Sequence, residues 1–321
     1  MIVVQLANGP SLWQDFSRDG TWKDLQFVPG GVTDADWFVT YGDLPPLART
    51  RVPKERRIIF ITEPPQIKNY YSHFINQFGI AVSPMPLKGF KGKWIQRHGA
   101  LTWFLGPTLE QLETADYSGK LFDLSVVCSS ARKFPEHRRR FEFVSQLKEI
   151  LGEKLHWYGR GIRAIDTKAE AIIPYRYSIA IENNYIEHFW TEKISDVYLG
   201  CSFPFYIGGP KLQRYFDHRS FQYLDLDDPV ASAKLIEKTI EAKIFEERLP
   251  LIREARSKVL VEYNLLNEVW RAIKEQGTAA LCRPPAPAPQ VLRCRKSGVR
   301  SWFLDQPRRI RRTLEWLEHR Y

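Results

Sequence analysis

Cysteine is scarce in this chain, and the four that occur, Cys128, Cys201, Cys282 and Cys294, show no CxxC pair and no disulfide-framework density. A structural zinc site is therefore not expected, and the composition fits a reducing compartment. Long hydrophobic runs are missing too: no stretch approaches the roughly 20 apolar residues that a membrane span needs. The opening residues, MIVVQLANGP, lack a basic leader and a cleavage pattern. The chain reads as cytoplasmic, or peripheral on the inner face of a membrane. No GxGxxG fingerprint follows the turn Gly159-Arg160-Gly161, so a nicotinamide enzyme is not supported.

The remaining composition is that of a globular protein, with 44% hydrophobic, 13% aromatic and 26% charged residues over 321 positions. That length suits one large or two ordinary domains. A net charge of +10 raises nucleic acid as a partner, but its location argues otherwise. Residues 281–321 hold ten Lys and Arg against Asp305, Glu315 and Glu318, so seven of the ten net charges lie in the tail and only three in residues 1–280. Ile310, Leu314, Leu317 and Tyr321 fall on one helical face amid these arginines, beyond a stiff Pro284–Pro289 linker. Such a tail suits an amphipathic helix drawn to anionic lipid; a partner-binding or disordered segment fits it equally.

Along the body, short apolar runs alternate with helical patterns. Strands are expected at Ile2–Gln5, Asp36–Tyr41, Arg56–Ile61, Ile80–Val82, Leu121–Cys128, Leu155–Tyr158, Tyr177–Ile181, Phe203–Ile207 and Phe221–Leu224. Helices are expected over Lys68–Phe78, from Pro135 past Leu151, over Thr191–Gly200, and over Val230–Leu249 and Ile252–Ile273. Pro84–Gly106 reads as irregular. The fold class is α/β.

Two strand ends carry chemistry. Arg56–Ile61 runs into Thr62-Glu63-Pro64-Pro65, where the prolines hold Glu63 in an extended or turn conformation at a strand's carboxyl end. An exposed loop glutamate would look the same. The unit Tyr177–Gly209 is a strand, a polar loop Glu182–Asn184, a helix opening at Thr191-Glu192-Lys193 and a second strand. A loop that feeds a helix N-terminus at the carboxyl end of a strand is a place for anionic ligands. Leu121–Cys128 repeats the arrangement, leading into a helix that starts with His137-Arg138-Arg139-Arg140. Arginines at a helix start oppose the macrodipole unless an anion is present, and Arg140 keeps step with Phe143 and Leu147. A solvated basic face is the plain alternative. Asp225-Leu226-Asp227-Asp228 looks like a DxD metal motif but sits before Pro229 and a helix, where turn and N-cap chemistry is expected.

The run Tyr175–Asn184 with its Glu182-Asn183-Asn184, then Thr191-Glu192-Lys193 and Pro204-Phe205-Tyr206-Ile207-Gly208, resembles the donor-site signature of the family 10 glycosyltransferases, the α-1,3/4-fucosyltransferases. The resemblance is strongest over residues 124–226 and visible upstream at Ile59–Pro65. It implies an inverting enzyme of GT-B architecture: two facing Rossmann-like domains and a C-terminal helical extension. The corresponding boundaries are 1–120 for an acceptor domain, 121–277 for a GDP-fucose domain and 278–321 for the linker and tail. It further implies Lys193 and Arg140 as diphosphate-neutralising cations, and Asn183 and Glu192 as donor contacts. Glu63 matches the general base, opposite those cations, in a segment that is Glu-Ser-Pro-like in the family. Phe189 departs from a tyrosine common in the family, leaving any hydroxyl contact missing or supplied by Tyr185. No metal or other cofactor is required on this reading. The partners it implies are GDP-fucose and a GlcNAc-containing surface glycan, either an oligosaccharide or a lipid-linked glycan, with no nucleic acid. A related enzyme for another nucleotide sugar, or a non-catalytic glycan- or nucleic-acid-binding module, are the alternatives.

Overall fold

The computed structural model describes residues 1–7, 17, 19–31, 34–46, 48–64, 67–100, 103–277 and 287–295. By internal contacts the chain divides into two compact units, Met1–Arg97 with the chain from Val269 onward, and His98–Glu268. The first unit holds β1 (Ile2–Leu6), β2 (Thr21–Trp22), β3 (Leu25–Val28), β4 (Trp37–Tyr41), β5 (Ala48–Thr50), β6 (Arg57–Phe60), β7 (Ile80–Ser83) and β8 (Lys93–Gln96). Among the described residues, seven of these form one sheet in the order β2-β3-β1-β4-β6-β7-β8. Only β2 against β3 is antiparallel. The central strands are buried along their length: Phe38, Ile58, Ile59, Phe60, Ala81 and Val82 are all fully covered. That burial on both faces is why their sequences run as continuous apolar stretches rather than alternating ones.

Two expectations for this unit change. The helix over Lys68–Phe78 narrows to Ser72–Ile75. The backbone before it is turned instead around Pro64, whose carbonyl accepts from the N–H groups of Ile67 and Lys68 at 2.9 and 3.0 Å. Inside the supposedly irregular Pro84–Gly106 lies β8, which pairs with β7. It is an edge strand with three of its four residues exposed, so it carries Lys93 and Gln96 and no apolar run to betray it.

The second unit contains β9 (Phe122–Val127), β10 (Leu155–Tyr158), β11 (Tyr175–Ile181), β12 (Phe203–Ile207) and β13 (Gln222–Tyr223). They form an all-parallel sheet ordered β10-β9-β11-β12-β13. Both sheets are thus doubly wound, and the α/β class with two Rossmann-like units is borne out. Helix Pro135–Leu151 follows β9 and buries Phe143, Val144, Leu147 and Leu151, the spacing read from the sequence. Helix Glu192–Leu199 follows β11 and buries Ile194 through Leu199. The two long charged patterns resolve into three helices, Pro229–Glu241, Ile244–Val261 and Leu265–Lys274. The first break is at Lys243, left-handed at φ 54°. The second is at Asn264, whose side chain donates to Leu260 O at 2.5 Å and accepts from Asn267 N–H at 2.9 Å. No composition change marks either position.

The domain boundaries also differ from those expected at 120 and 277. The chain leaves the first unit after Arg97 and re-enters it at Val269. At those two ends of the second unit, His98 and Glu268 are both wholly buried, with His98 Nε2 3.3 Å from Glu268 Oε1. The imidazole stacks on Trp190 at 4.6 Å and meets Tyr215 and Tyr263 edge-on at 5.5 Å each. Nor is the region beyond 277 only linker and tail. β14 (Gln290–Leu292) pairs antiparallel with β5 and buries Leu292. Gln290 accepts from Arg57 at 2.6 Å, Gln77 and Arg293 exchange two hydrogen bonds, and Arg295 reaches Asp43 at 3.2 Å. The basic amphipathic tail of 296–321 and Pro284–Ala286 lie outside the described residues. Among the described residues no helix is long and apolar enough to cross a membrane.

Candidate functional site

In a doubly wound sheet, ligands bind outside the carboxyl ends of the strands, where the strand order reverses. In the second unit that point lies between β9 and β11, with β10 beside β9. A cavity of about 240 Å³ opens there. Its walls are the ends of the three strands, at Val127–Ser129, Gly159-Arg160 and Ser178–Ile181, together with Arg140 from helix Pro135–Leu151 and the first turns of helix Glu192–Leu199. Four cations line it, Arg140, Arg160, Lys168 and Lys193, against two carboxylates, Glu192 and Asp196.

The local chemistry at the start of helix Glu192–Leu199 explains why Thr191-Glu192-Lys193 stands as it does. Thr191 is the N-cap, its Oγ1 accepting from Lys193 N–H at 3.4 Å. The same threonine donates through N–H and Oγ1–H to Glu182, a fully buried carboxylate at the end of β11, at 2.8 and 2.8–3.0 Å. Lys193 Nζ lies 3.4 Å from Glu182 and 3.2 Å from Glu192. Burial opposes the lysine's charge, but the two carboxylates outweigh it and hold its pKa above the ordinary value. Burial likewise opposes ionised Glu192, and Lys193 and Lys168 reverse that, depressing it to about 2. Burial pushes Glu182 up, against the pull of Lys193.

A second ion pair sits one helical turn on. Asp196 is wholly buried, accepts from the backbone N–H of Phe104 at 2.9 Å and from Lys168 Nζ at 2.7 Å. Lys168 also stands 3.8 Å from Glu192. Each lysine is therefore held between two carboxylates. The arginines are not. Arg140 donates to the Ile181 carbonyl at 3.3 Å, and among the described residues its buried Nε has no partner and no carboxylate meets it. Arg160 lines the cavity with its guanidinium unpaired among the described residues. With buried Glu182 counted, the group carries one net positive charge, and it resides on guanidinium groups.

Arg140, Glu192 and Lys193 of the sequence-derived set come together here. Asn183 and Tyr185, in the loop after β11, do not line the cavity; Asn183 Oδ1 and the Tyr185 hydroxyl are buried with no partner among the described residues. Burial raises the Tyr185 phenol to about 12, and its ring lies 5.9 Å from the Arg139 guanidinium. Arg139 itself is bound to Asp227 at 2.7 Å. Phe189 is 5% exposed and also does not line the cavity. Asp225 accepts from Asp227 N–H at 2.9 Å and Asp228 caps helix Pro229–Glu241 through Ala231 N–H at 2.8 Å, which is turn and cap chemistry. Among the described residues no group of three or more His, Cys, Asp or Glu is arranged to hold a metal ion.

Glu63 belongs to the other unit. It follows the carboxyl end of β6, beside β4, near Lys68 and the buried Tyr70, whose phenol burial raises to about 12. Pro65 lies outside the described residues.

Four members of the cavity cluster escaped sequence reasoning: Arg160, Lys168, Glu182 and Asp196. Glu192 and Asp196 are four residues apart and share a helix face, a signal that was available. Nothing local distinguishes Lys168, because its partners come from elements brought beside it only by the strand order.

No protein-family profile matches this chain, and no curated protein sequence does. Among solved structures, an α1,3-fucosyltransferase is similar in three forms. Each is 14% identical: alone (TM-score 0.48, 81% of this chain, 90% of that one), with GDP-fucose (0.47, 82%, 92%) and with GDP (0.49, 81%, 90%). A glycosyltransferase from Rickettsia africae ESF-5 is 13% identical with a TM-score of 0.41, over 88% of this chain and 78% of that one.

Proposed function

We propose that this protein is an inverting glycosyltransferase whose donor sugar is carried on a nucleoside diphosphate, GDP-fucose being the donor that the family resemblance implies. One observation carries the reading: Glu192 and Lys193 of the Thr191-Glu192-Lys193 signature line a single cation-rich cavity with Arg140 at the switch point of a doubly wound sheet. Departure of a diphosphate develops negative charge, and fixed cations beside a helix N-terminus stabilise that charge without reorganising.

In this reaction the acceptor hydroxyl oxygen forms a bond to the anomeric carbon, and the bond from that carbon to the diphosphate oxygen breaks, its electron pair leaving with the diphosphate. Inversion needs a carboxylate to take the hydroxyl proton, and Glu63 is the residue proposed for that step. Asn183 and Tyr185, with buried and unpartnered polar atoms, are donor contacts on this reading, and Phe189 shapes the loop that carries them. The acceptor is a GlcNAc-containing glycan of a cell surface, reached from the cytoplasmic side by a protein held peripherally through its basic tail. Charge neutralisation by side chains removes the need for a divalent metal.

Calorimetry with GDP-fucose, GDP-mannose and UDP-sugars, followed by transfer assays on N-acetyllactosamine, lacto-N-biose and GlcNAc, tests the reading. Preferential binding of GDP-fucose with turnover on one acceptor is expected. Binding of a different nucleotide sugar would reassign the donor. Binding of glycan or nucleic acid without any turnover would make the protein a binding module and overturn the proposal.

A further inference from the structure

Neither lysine of the cavity is free to meet an anion. Lys193 and Lys168 each have two carboxylate groups within 3.8 Å, and an incoming phosphate must compete with them. A guanidinium with no carboxylate partner attracts a phosphate without that competition, and its planar fork grips two oxygens at once. Two such groups line the cavity. One is Arg140, expected from the sequence; the other is Arg160, which the sequence offers only as the middle of a weak Gly-Arg-Gly turn.

The turn is built to hold Arg160 in place. Gly159, at φ 143°, packs so closely that an added Cβ would lie 2.5 Å from the Cys128 carbonyl, at the end of β9. Gly161, at φ 78°, leaves no room for a Cβ beside the Ser130 hydroxyl. Ser130 then donates to the Arg160 carbonyl twice, from N–H at 3.0 Å and from Oγ–H at 3.3 Å. Two residues confined to glycine, by conformation and by contact, thus seat the loop between them against the neighbouring strand end at the cavity wall. A turn needed only to reverse the chain would not require both.

We propose that Arg160 is a phosphate-binding residue that works with Arg140 as a pair of guanidinium forks. On this account Lys193 and Lys168 hold Glu192 and Asp196 in position rather than supplying the unpaired charge. The assignment rests on the nucleoside-diphosphate reading above for its biological ligand, but its chemistry concerns the phosphates alone.

The experiment is calorimetric titration of the full chain with inorganic pyrophosphate and, separately, with GDP, for the wild type, Arg160→Gln, Arg160→Lys and Arg163→Gln. Arg163 lies in the same loop, over the Tyr158 ring at 4.8 Å, and does not line the cavity. Loss of two charge-assisted hydrogen bonds predicts affinity about 10- to 100-fold weaker for both ligands in Arg160→Gln. Arg160→Lys is expected to recover part of it and Arg163→Gln to match the wild type. Equal affinity of Arg160→Gln and wild type overturns the role of Arg160, while GDP binding by both leaves the functional reading standing. Pyrophosphate binding that depends on Arg160, without any affinity for GDP, supports the phosphate fork and sinks the nucleotide reading instead. A wild type that binds neither ligand overturns both. Because Arg160 is exposed, thermal denaturation of Arg160→Gln should coincide with the wild type.

Discussion

The two sheets are wound alike and end differently. Numbered within their units, the parallel strands run 2-1-3-4-5-6 in the first and 2-1-3-4-5 in the second, so each offers a crevice where the order reverses. In the second unit that crevice is walled by four cations and two carboxylates, both lysines are locked in pairs with carboxylates, and it retains net positive charge. In the first unit the described carboxyl ends carry Asp43, Glu63 and Lys68, with Asp43 shared by Lys68 at 3.5 Å and Arg295 at 3.2 Å. Topology provides a place for a ligand; the residues at the strand ends decide what charge it meets. One end carries net positive charge, and the other presents a carboxylate.

The sharpest way to break this contrast is to remove one group from each end. Glu63→Gln should lower transfer by about 10²- to 10⁴-fold while leaving GDP affinity as in the wild type, whereas Arg140→Gln should weaken GDP binding itself. Titration calorimetry beside turnover measurements separates the two, and equal loss of GDP affinity in both variants would erase the division of roles.

Next in size is a difference in how the lysines are embedded. Lys193→Met leaves wholly buried Glu182 without its cation and Glu192 with Lys168 alone, and should cost about 3–5 kcal/mol in denaturant unfolding. Lys68→Met removes a partly exposed pair whose acid keeps Arg295, and should cost under about 1 kcal/mol. Comparable losses would mean the second unit's pairs are no more buried in effect than the first's.

Truncation tests what completes the first unit. Removing 281–321 deletes β14, and burial of Leu292 alone accounts for about 1.5–3 kcal/mol. Removing only 296–321 spares β14 and its pairing with β5, and it is the cleaner way to ask whether the tail binds anionic vesicles.

The smallest effect is acid sensitivity. Glu192 has its pKa depressed in the folded protein to about 2 from an ordinary 4.5. Between those values the unfolded chain binds the proton and the folded one does not, so the stabilisation is present above pH 4.5 and is lost as pH falls toward 2. Melting curves over that range should fall less steeply for Glu192→Gln than for the wild type.

Much of this was legible in the residues. Phe203–Ile207 is a strand with the bounds its apolar run suggests, and Thr191 caps its helix as Thr-Glu-Lys before an apolar run implies. Arg140 kept step with Phe143 and Leu147 and proved to face a cavity on the same helix. What stayed hidden depends on partners far along the chain. Glu182 reads as loop polarity until Thr191 and Lys193 close on it, and β5 and β14 are three-residue strands 240 positions apart whose pairing no local pattern encodes. Lys243, with no glycine to announce it, ends one helix pattern by turning left-handed.

The pairing of His98 with Glu268 has a practical meaning for dissecting the protein. It brings the first and last residues of the second unit side by side in one aromatic cage, so that unit is an uninterrupted chain segment whose ends already meet. Segments with adjacent termini are the ones nature inserts into hosts and experimenters cut out. Residues 98–268 should express and fold as a free-standing piece carrying the whole cation-rich cavity, and the host should close over the gap with a short linker from 97 to 269.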